Sequence, residues 1–183
     1  MNDVVKISNQ DSSLENDTKF LVEERVKKIF KKLNHCVESN GLIDVTRLVN
    51  SFNFEIVENM GLPKLLNGIV TCDMNGNQMC INNNLSKESK RYSIAYLLST
   101  YLLYYSKQEF FSFNHLESCE DYNAAFMARL LLIPESILRT AYSNSNGDIQ
   151  YLSELFEVPS NVMEQRLKEI NKFKKLALKK YLI

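Results

Sequence analysis

From Ile94 to Tyr105 the chain is apolar or aromatic at almost every position, running Ile94-Ala95-Tyr96-Leu97-Leu98-Ser99-Thr100-Tyr101-Leu102-Leu103-Tyr104-Tyr105. A helix with this sequence has no wet face and must be covered on all sides. Charged residues close both ends, Lys87, Glu88, Lys90 and Arg91 before it and Lys107 and Glu109 after it. The apolar run is also only about half of the roughly 20 residues that a membrane span requires. The segment therefore predicts a central helix buried in a globular fold, with no membrane association.

The rest of the chain has the material to cover such a helix. Its 183 residues are 45% hydrophobic and 24% charged, enough for one globular domain with a sizeable core. Lys+Arg and Asp+Glu stand at 22 each, which argues against a strong polyanion binder. The charge is nevertheless uneven, because 166–183 holds seven basic residues against one acidic, and 109–157 holds eight acidic against two basic. Cys36, Cys72, Cys80 and Cys119 form no C-x-x-C pair, and the polar first residues lack the apolar region of a signal peptide. Free cysteines in a reducing cytoplasm are the expectation.

Met1 to Thr18 is rich in Asn, Asp and Ser and is expected to be a disordered arm, leaving 19–183 as a single domain. Lys19 to Ser39 sets Val22, Val26, Ile29, Phe30, Leu33 and Val37 at helical spacing, with Asn40-Gly41 as the expected stop. His35 near its end reads as a surface or capping residue. A short helix ending near Phe52 precedes the strand-like Phe54-Glu55-Ile56-Val57. Two β-prone runs, 68–73 and 78–82, then flank Met74-Asn75-Gly76-Asn77, a hairpin signal. The reading is a small three-stranded antiparallel sheet ahead of the central helix.

Beyond that helix, 107–118 reads as an aromatic-rich connection. His115, Glu117, Cys119, Glu120 and Asp121 crowd there, but with two His in the whole chain no third metal ligand or orienting group is fixed. Acidic residues at a helix start, where they suit the dipole, are the simpler account. Asp121 to Pro134 forms a second apolar helix. Leu152 to Leu167 has the pattern of a helix-turn-helix, with Pro159-Ser160 at the turn. Asn161, Glu164 and Gln165 are a thin, partly acidic set for reading bases, and the following lysines at 172, 174, 175, 179 and 180 suit a wet helical face.

Three ordered blocks carry a resemblance. Arg91-Tyr92-Ser93-Ile94-Ala95 with Leu98, Leu102 and Leu103 resembles the core helix R-x-F-T-[LI]-A-H-E-L-G-H-x-L-L of the ImmA/IrrE-type metallopeptidase domain. Asp121 to Pro134 is similar to the family's E-A-N-x-F-A-x-x-L-L-M-P, and Leu152 to Leu167 to its closing L-A-x-x-F-x-V-S-x-x-x-V-x-x-R-L. The resemblance implies an α+β, mostly helical, zincin-like minimal metallopeptidase fold around a buried central helix. Active relatives commonly relieve transcriptional repressors of mobile elements and stress responses, so it also implies a regulatory protein partner.

The residues that do the family's chemistry are replaced. Tyr96 stands at the first His, Leu97 at the Glu, Thr100 at the second His, and Asn123, aligned on Pro134, at the usual third ligand, with Asp121 the alternative after a small register shift. In the H-E-x-x-H motif two His one turn apart share a zinc, and the Glu is the base toward zinc-bound water. A phenol must lose a proton with a pKa of about 10 to serve as an anionic ligand, and Leu accepts no proton. Without zinc, water keeps its pKa of about 15.7 instead of about 7. The expectation is a pseudoenzyme with a degenerate zinc site at Tyr96, Leu97, Thr100 and Asn123, no catalytic residues, no metal and no cofactor. It would act by binding a protein such as a transcriptional repressor, with DNA binding through the closing helices as the alternative.

Overall fold

A computed structural model describes residues 4–38, 41–59, 61–73, 76–104, 110–114 and 121–180 of the chain. Helix α1, Val4–Lys32, buries Val22, Val26 and Ile29 and turns Arg25, Lys28, Lys31 and Lys32 outward. It begins inside the segment expected to be a loose arm and ends before Asn40-Gly41. The reason for the early end is a competing set of bonds. Glu38 N donates to Leu42 O and Asp44 N to Cys36 O, so the chain turns through a single 3-10 turn at Asn34–Cys36 into a bridge between Val37 and Ile43. Gly41, at φ +84°, closes that reversal instead of a helix end. Helix α2, Val45–Asn50, follows with Asp44 as its N-cap, the carboxylate accepting from Arg47 N.

Strands β1 (Phe54–Asn59), β2 (Leu66–Asp73) and β3 (Gly76–Asn82) lie where β-prone residues predicted them. The β2–β3 pair is the expected antiparallel hairpin, closing at Asp73 opposite Gly76. Two features of the expected sheet are corrected. It has four strands, because β4, Phe110–Asn114, pairs antiparallel with β2 in the segment read as a connection. It is also mixed, in the order β1-β3-β2-β4 with β1 parallel to β3. The chain reverses once after β1 and again at the hairpin, so β3 returns in the direction of β1 and takes the place beside it.

The central helix is α3, Lys87–Tyr104, and Tyr92 to Ser99 are buried without a break. The sheet covers one side. A Cβ built on Gly68 of β2 would lie 2.9 Å from both Cys80 O and Leu97 Cδ1, so the strand approaches α3 more closely than any side chain at that position permits. Helix α4, Tyr122–Leu132, covers another side and is buried from Ala124 onward, while α1 packs against α4. Arg91 Nη2 donates to Ile43 O at 2.7 Å and ties the start of α3 to the segment leading into α2.

Helices α5 (Glu135–Asn144), α6 (Ile149–Phe156) and α7 (Ser160–Lys180) complete the fold. Helices α6 and α7 are joined through Glu157, in the left-handed region, and Pro159. Leu152, Phe156, Val158 and Met163 are buried between them and the core. Among the described residues, α7 is fastened to α4 by a buried charge cluster. Glu169 Oε1 accepts from Arg129 Nε at 2.8 Å and Nη2 at 2.7 Å, and Arg166 Nε donates to Ile133 O at 3.2 Å. Arg166 Nη1 stands 3.7 Å from Glu169 Oε2, so one carboxylate balances two guanidinium groups out of water.

Gly68→Ala should destabilise the fold by about 1 to 3 kcal/mol, because one of the atoms in the way is a strand carbonyl that cannot rotate aside. Comparison of urea midpoints with the parent protein measures this, and an unchanged midpoint would show that the strand and α3 are not held at that distance.

Candidate functional site

Tyr96, Leu97 and Thr100 lie on the middle of α3, and Asn123 lies in the first turn of α4. Tyr96 and Leu97 are buried, whereas Thr100 and Asn123 are half-buried. The two helices meet here through a defined bond: Asp121 N donates to the Tyr96 hydroxyl oxygen at 2.9 Å. The position of the first His in the resembled motif thus lies beside the helix start that carries the third.

Asp121 is the hinge of the arrangement. It is the N-cap of α4, with its carboxylate accepting from Ala124 N at 2.7 Å, and that leaves its own backbone N–H pointing back at α3. The Tyr104 hydroxyl donates to the same carboxylate, 2.9 Å from either oxygen. Burial pushes the Tyr104 phenol above its ordinary pKa, and the Asp121 carboxylate adds to this, while a hydrogen bond from the Asn123 side chain opposes it. One chain of contacts therefore joins Tyr96, Asp121, Tyr104 and Asn123.

Thr100 does not bond to the Tyr96 side chain. Its Oγ1 donates to the Tyr96 backbone carbonyl at 3.0 Å, and Ser99 likewise donates to Ala95 O at 2.7 Å. Both hydroxyls are satisfied within the helix. Leu97 points its side chain at Gly68 and the sheet, so the position of the general base in the resembled motif is part of the hydrophobic core.

These side chains do not fit a divalent zinc ion. The Tyr96 oxygen already accepts an N–H, Thr100 is turned into its own helix, and Leu97 and Asn123 bring no negative charge. Among the described residues no three His, Cys, Asp or Glu side chains converge as a metal-holding group. The His115 to Glu120 crowd lies outside the described residues.

His35 has a polar neighbour, with its Nε2 3.4 Å from Ser51 Oγ, and Cys36 Sγ is 3.8 Å from the same oxygen. Ser51 gives its own proton to Arg47 O at 2.8 Å, which leaves Nε2 to act as the donor in this pair. His35 itself is exposed, as expected of a surface residue.

Reasoning from residue types missed Tyr104 and the capping role of Asp121. Tyr104 could have been found from its position two turns beyond Tyr96 on the same helical face. Asp121 could have been found as an Asp immediately ahead of an apolar helical run.

The profile of a peptidase family described as the IrrE N-terminal-like domain matches residues 59–168. No curated protein matches the chain. A solved structure of a Mycobacterium tuberculosis transcriptional regulator has a similar fold, with a TM-score of 0.52 and 14% identity over 82% of this chain and 46% of that one. The chain thus spans less than half the length of that protein.

Tyr96→Phe should cost about 1 to 3 kcal/mol, because it leaves the Asp121 N–H in a part-buried place without its acceptor. Thr100→Val should cost less, since only a bond within α3 is lost. Denaturant unfolding of the two variants side by side checks the order, and a larger loss for Thr100→Val would contradict the geometry.

Proposed function

We propose that this chain, which belongs to the IrrE N-terminal-like domain family, is a zinc-independent pseudoenzyme and a protein-binding regulatory module. The observation that carries this reading is the bond between the Tyr96 hydroxyl and Asp121 N. At the place where active relatives of the resembled type hold a metal between two helices, this chain has a hydrogen-bonded joint. Peptide hydrolysis at neutral pH needs an activated water and a base. Tyr96, Leu97, Thr100 and Asn123 supply neither.

A regulatory role without turnover leaves binding as the mode of action. The partner class that follows from the family resemblance is a transcriptional repressor or similar regulator, in a phage, another mobile element or a stress response. Among the described residues the thiols of Cys36 and Cys80 are free, which suits a cytoplasmic setting, and no helix is long and apolar enough to cross a membrane. The fold shared with a transcriptional regulator accords with such a role and does not choose the partner.

DNA binding is the second reading, favoured by one feature, the α6–α7 geometry. Ser160, Asn161, Glu164 and Gln165 are the exposed residues in the first two turns of α7, and the carboxylate among them opposes phosphate. The salt dependence of duplex binding separates the readings. A DNA reader loses affinity steeply between 50 and 200 mM salt, on the order of a thousandfold if it contacts several phosphates.

Elemental analysis of protein purified without a metal-affinity tag should find far less than one zinc per chain, and the same preparation should not cleave unstructured protein substrates. Stoichiometric zinc together with cleavage overturns the pseudoenzyme reading. A fluorescent duplex should show no saturable binding at 50 mM salt, and salt-sensitive saturation would move the choice to DNA.

A further inference from the structure

The outward side of α1 carries a second feature, apart from the Tyr96–Asp121 joint. Arg25, Lys28 and Lys32 follow one another at helical spacing along α1, and Lys31 stands next to them. These cations border a groove of about 510 Å³ whose floor is apolar, made by Ile29, Leu33, Phe52 and Leu102. A neighbouring hollow of about 430 Å³ shares Arg25 and Lys28 with it and extends the apolar surface to Leu21, which is 67% exposed. Lys28, Lys31 and Lys32 take part in none of the ion pairs among the described residues.

The dimensions and chemistry choose among occupants. From Leu21 to Leu33 the lining follows α1 for about 18 Å at 1.5 Å per residue, which is the length of a helix of about three turns. The floor calls for apolar side chains repeating along one face, and the rim for carboxylates beside them. A phosphate backbone or an anionic bilayer would use the cations, but neither places a row of apolar side chains into a concave floor. Most of the lining comes from α1 and from Leu33, Ser51 and Phe52, all of which precede the 59–168 stretch matched by the family profile.

We propose that the α1 groove is a docking site for an acidic amphipathic helix of a partner protein, with its apolar face on Ile29, Leu33, Phe52 and Leu102 and its carboxylates on Arg25, Lys28, Lys31 and Lys32. The proposal rests on the reading of this chain as a protein-binding module and adds the chemistry of the partner. It does not depend on the zinc question, which metal analysis decides separately.

The test is fluorescence anisotropy of the full chain with a labelled synthetic 14-residue helix carrying leucines on one face and glutamates along its flanks. Two control peptides have the same composition in scrambled order, or serine in place of every leucine. The expected result is saturable binding of the first peptide, weakened about tenfold or more in each control. The triple variant Lys28→Glu, Lys31→Glu, Lys32→Glu changes only exposed side chains, and circular dichroism verifies its fold. It should weaken binding by at least a similar factor, and higher salt should weaken the parent complex without abolishing it.

Absence of saturable binding, equal affinity for the serine peptide, or indifference to the charge reversal each overturns the proposal. So does tighter binding to vesicles rich in phosphatidylserine, or to a 20-base-pair duplex, than to the leucine–glutamate helix. Failure here with zinc-free protein leaves the pseudoenzyme reading standing, whereas stoichiometric zinc and cleavage alongside peptide binding would remove that reading and keep the groove.

Discussion

A helix that cannot show any face to water imposes its needs on every neighbour. Residues Tyr92 to Ser99 of α3 are buried in sequence, and each side of the helix has to be closed by a different element. The sheet closes one side and can do so only because Gly68 has no side chain in the way of Leu97. Helix α4 closes another with an unbroken buried stretch, and α1 and α7 then cover α4. The order of packing follows from the hydrophobic effect acting on one segment that has no alternative to burial.

Burial on this scale also sets strict terms for polar groups. Inside the core, a hydroxyl or guanidinium without a partner carries a desolvation cost of about 1 to 3 kcal/mol or more; several buried polar side chains meet one another or a backbone carbonyl, while the Ser93 hydroxyl has no hydrogen-bond partner among the described residues. Ser99 and Thr100 bond to carbonyls one turn back. Arg129, Arg166 and Glu169 form a charge cluster between α4 and α7. Tyr96, the largest polar side chain in the middle of α3, takes the N–H that capping leaves at Asp121. That bond joins the middle of α3 to the first turn of α4.

The elements legible in the sequence were those with strong local signals. The continuous apolar run marked α3, the spacing of Val22, Val26 and Ile29 marked α1, and the β-prone runs around Asn75-Gly76 marked the hairpin. Strand β4 was hidden because Phe110-Phe111-Ser112-Phe113-Asn114 is short, and its place beside β2 depends on residues some forty positions earlier. The parallel pairing of β1 with β3 was hidden for the same reason, since strand direction in a sheet is set by how connections cross and not by composition. Gly41 shows the reverse error. Asn-Gly after a helix is a fair stop signal, yet here backbone bonds between Glu38 and Leu42 and between Asp44 and Cys36 used the glycine for a chain reversal.

What the sequence by itself determined is the identity of the side chains at the four positions of the resembled zinc site, and hence their charge and donor chemistry. No fold makes Leu97 a base or gives Thr100 an imidazole. Only the tertiary structure decided where those side chains send their hydrogen bonds. Tyr96 accepts from the Asp121 backbone N–H and does not meet Thr100, and Tyr104 joins the Asp121 carboxylate to the Asn123 side chain, because the first turn of α4 comes to rest against the middle of α3. Residue chemistry is local and can be read in one dimension. Partnership depends on contacts between segments far apart in the chain, and those exist only after the core has closed.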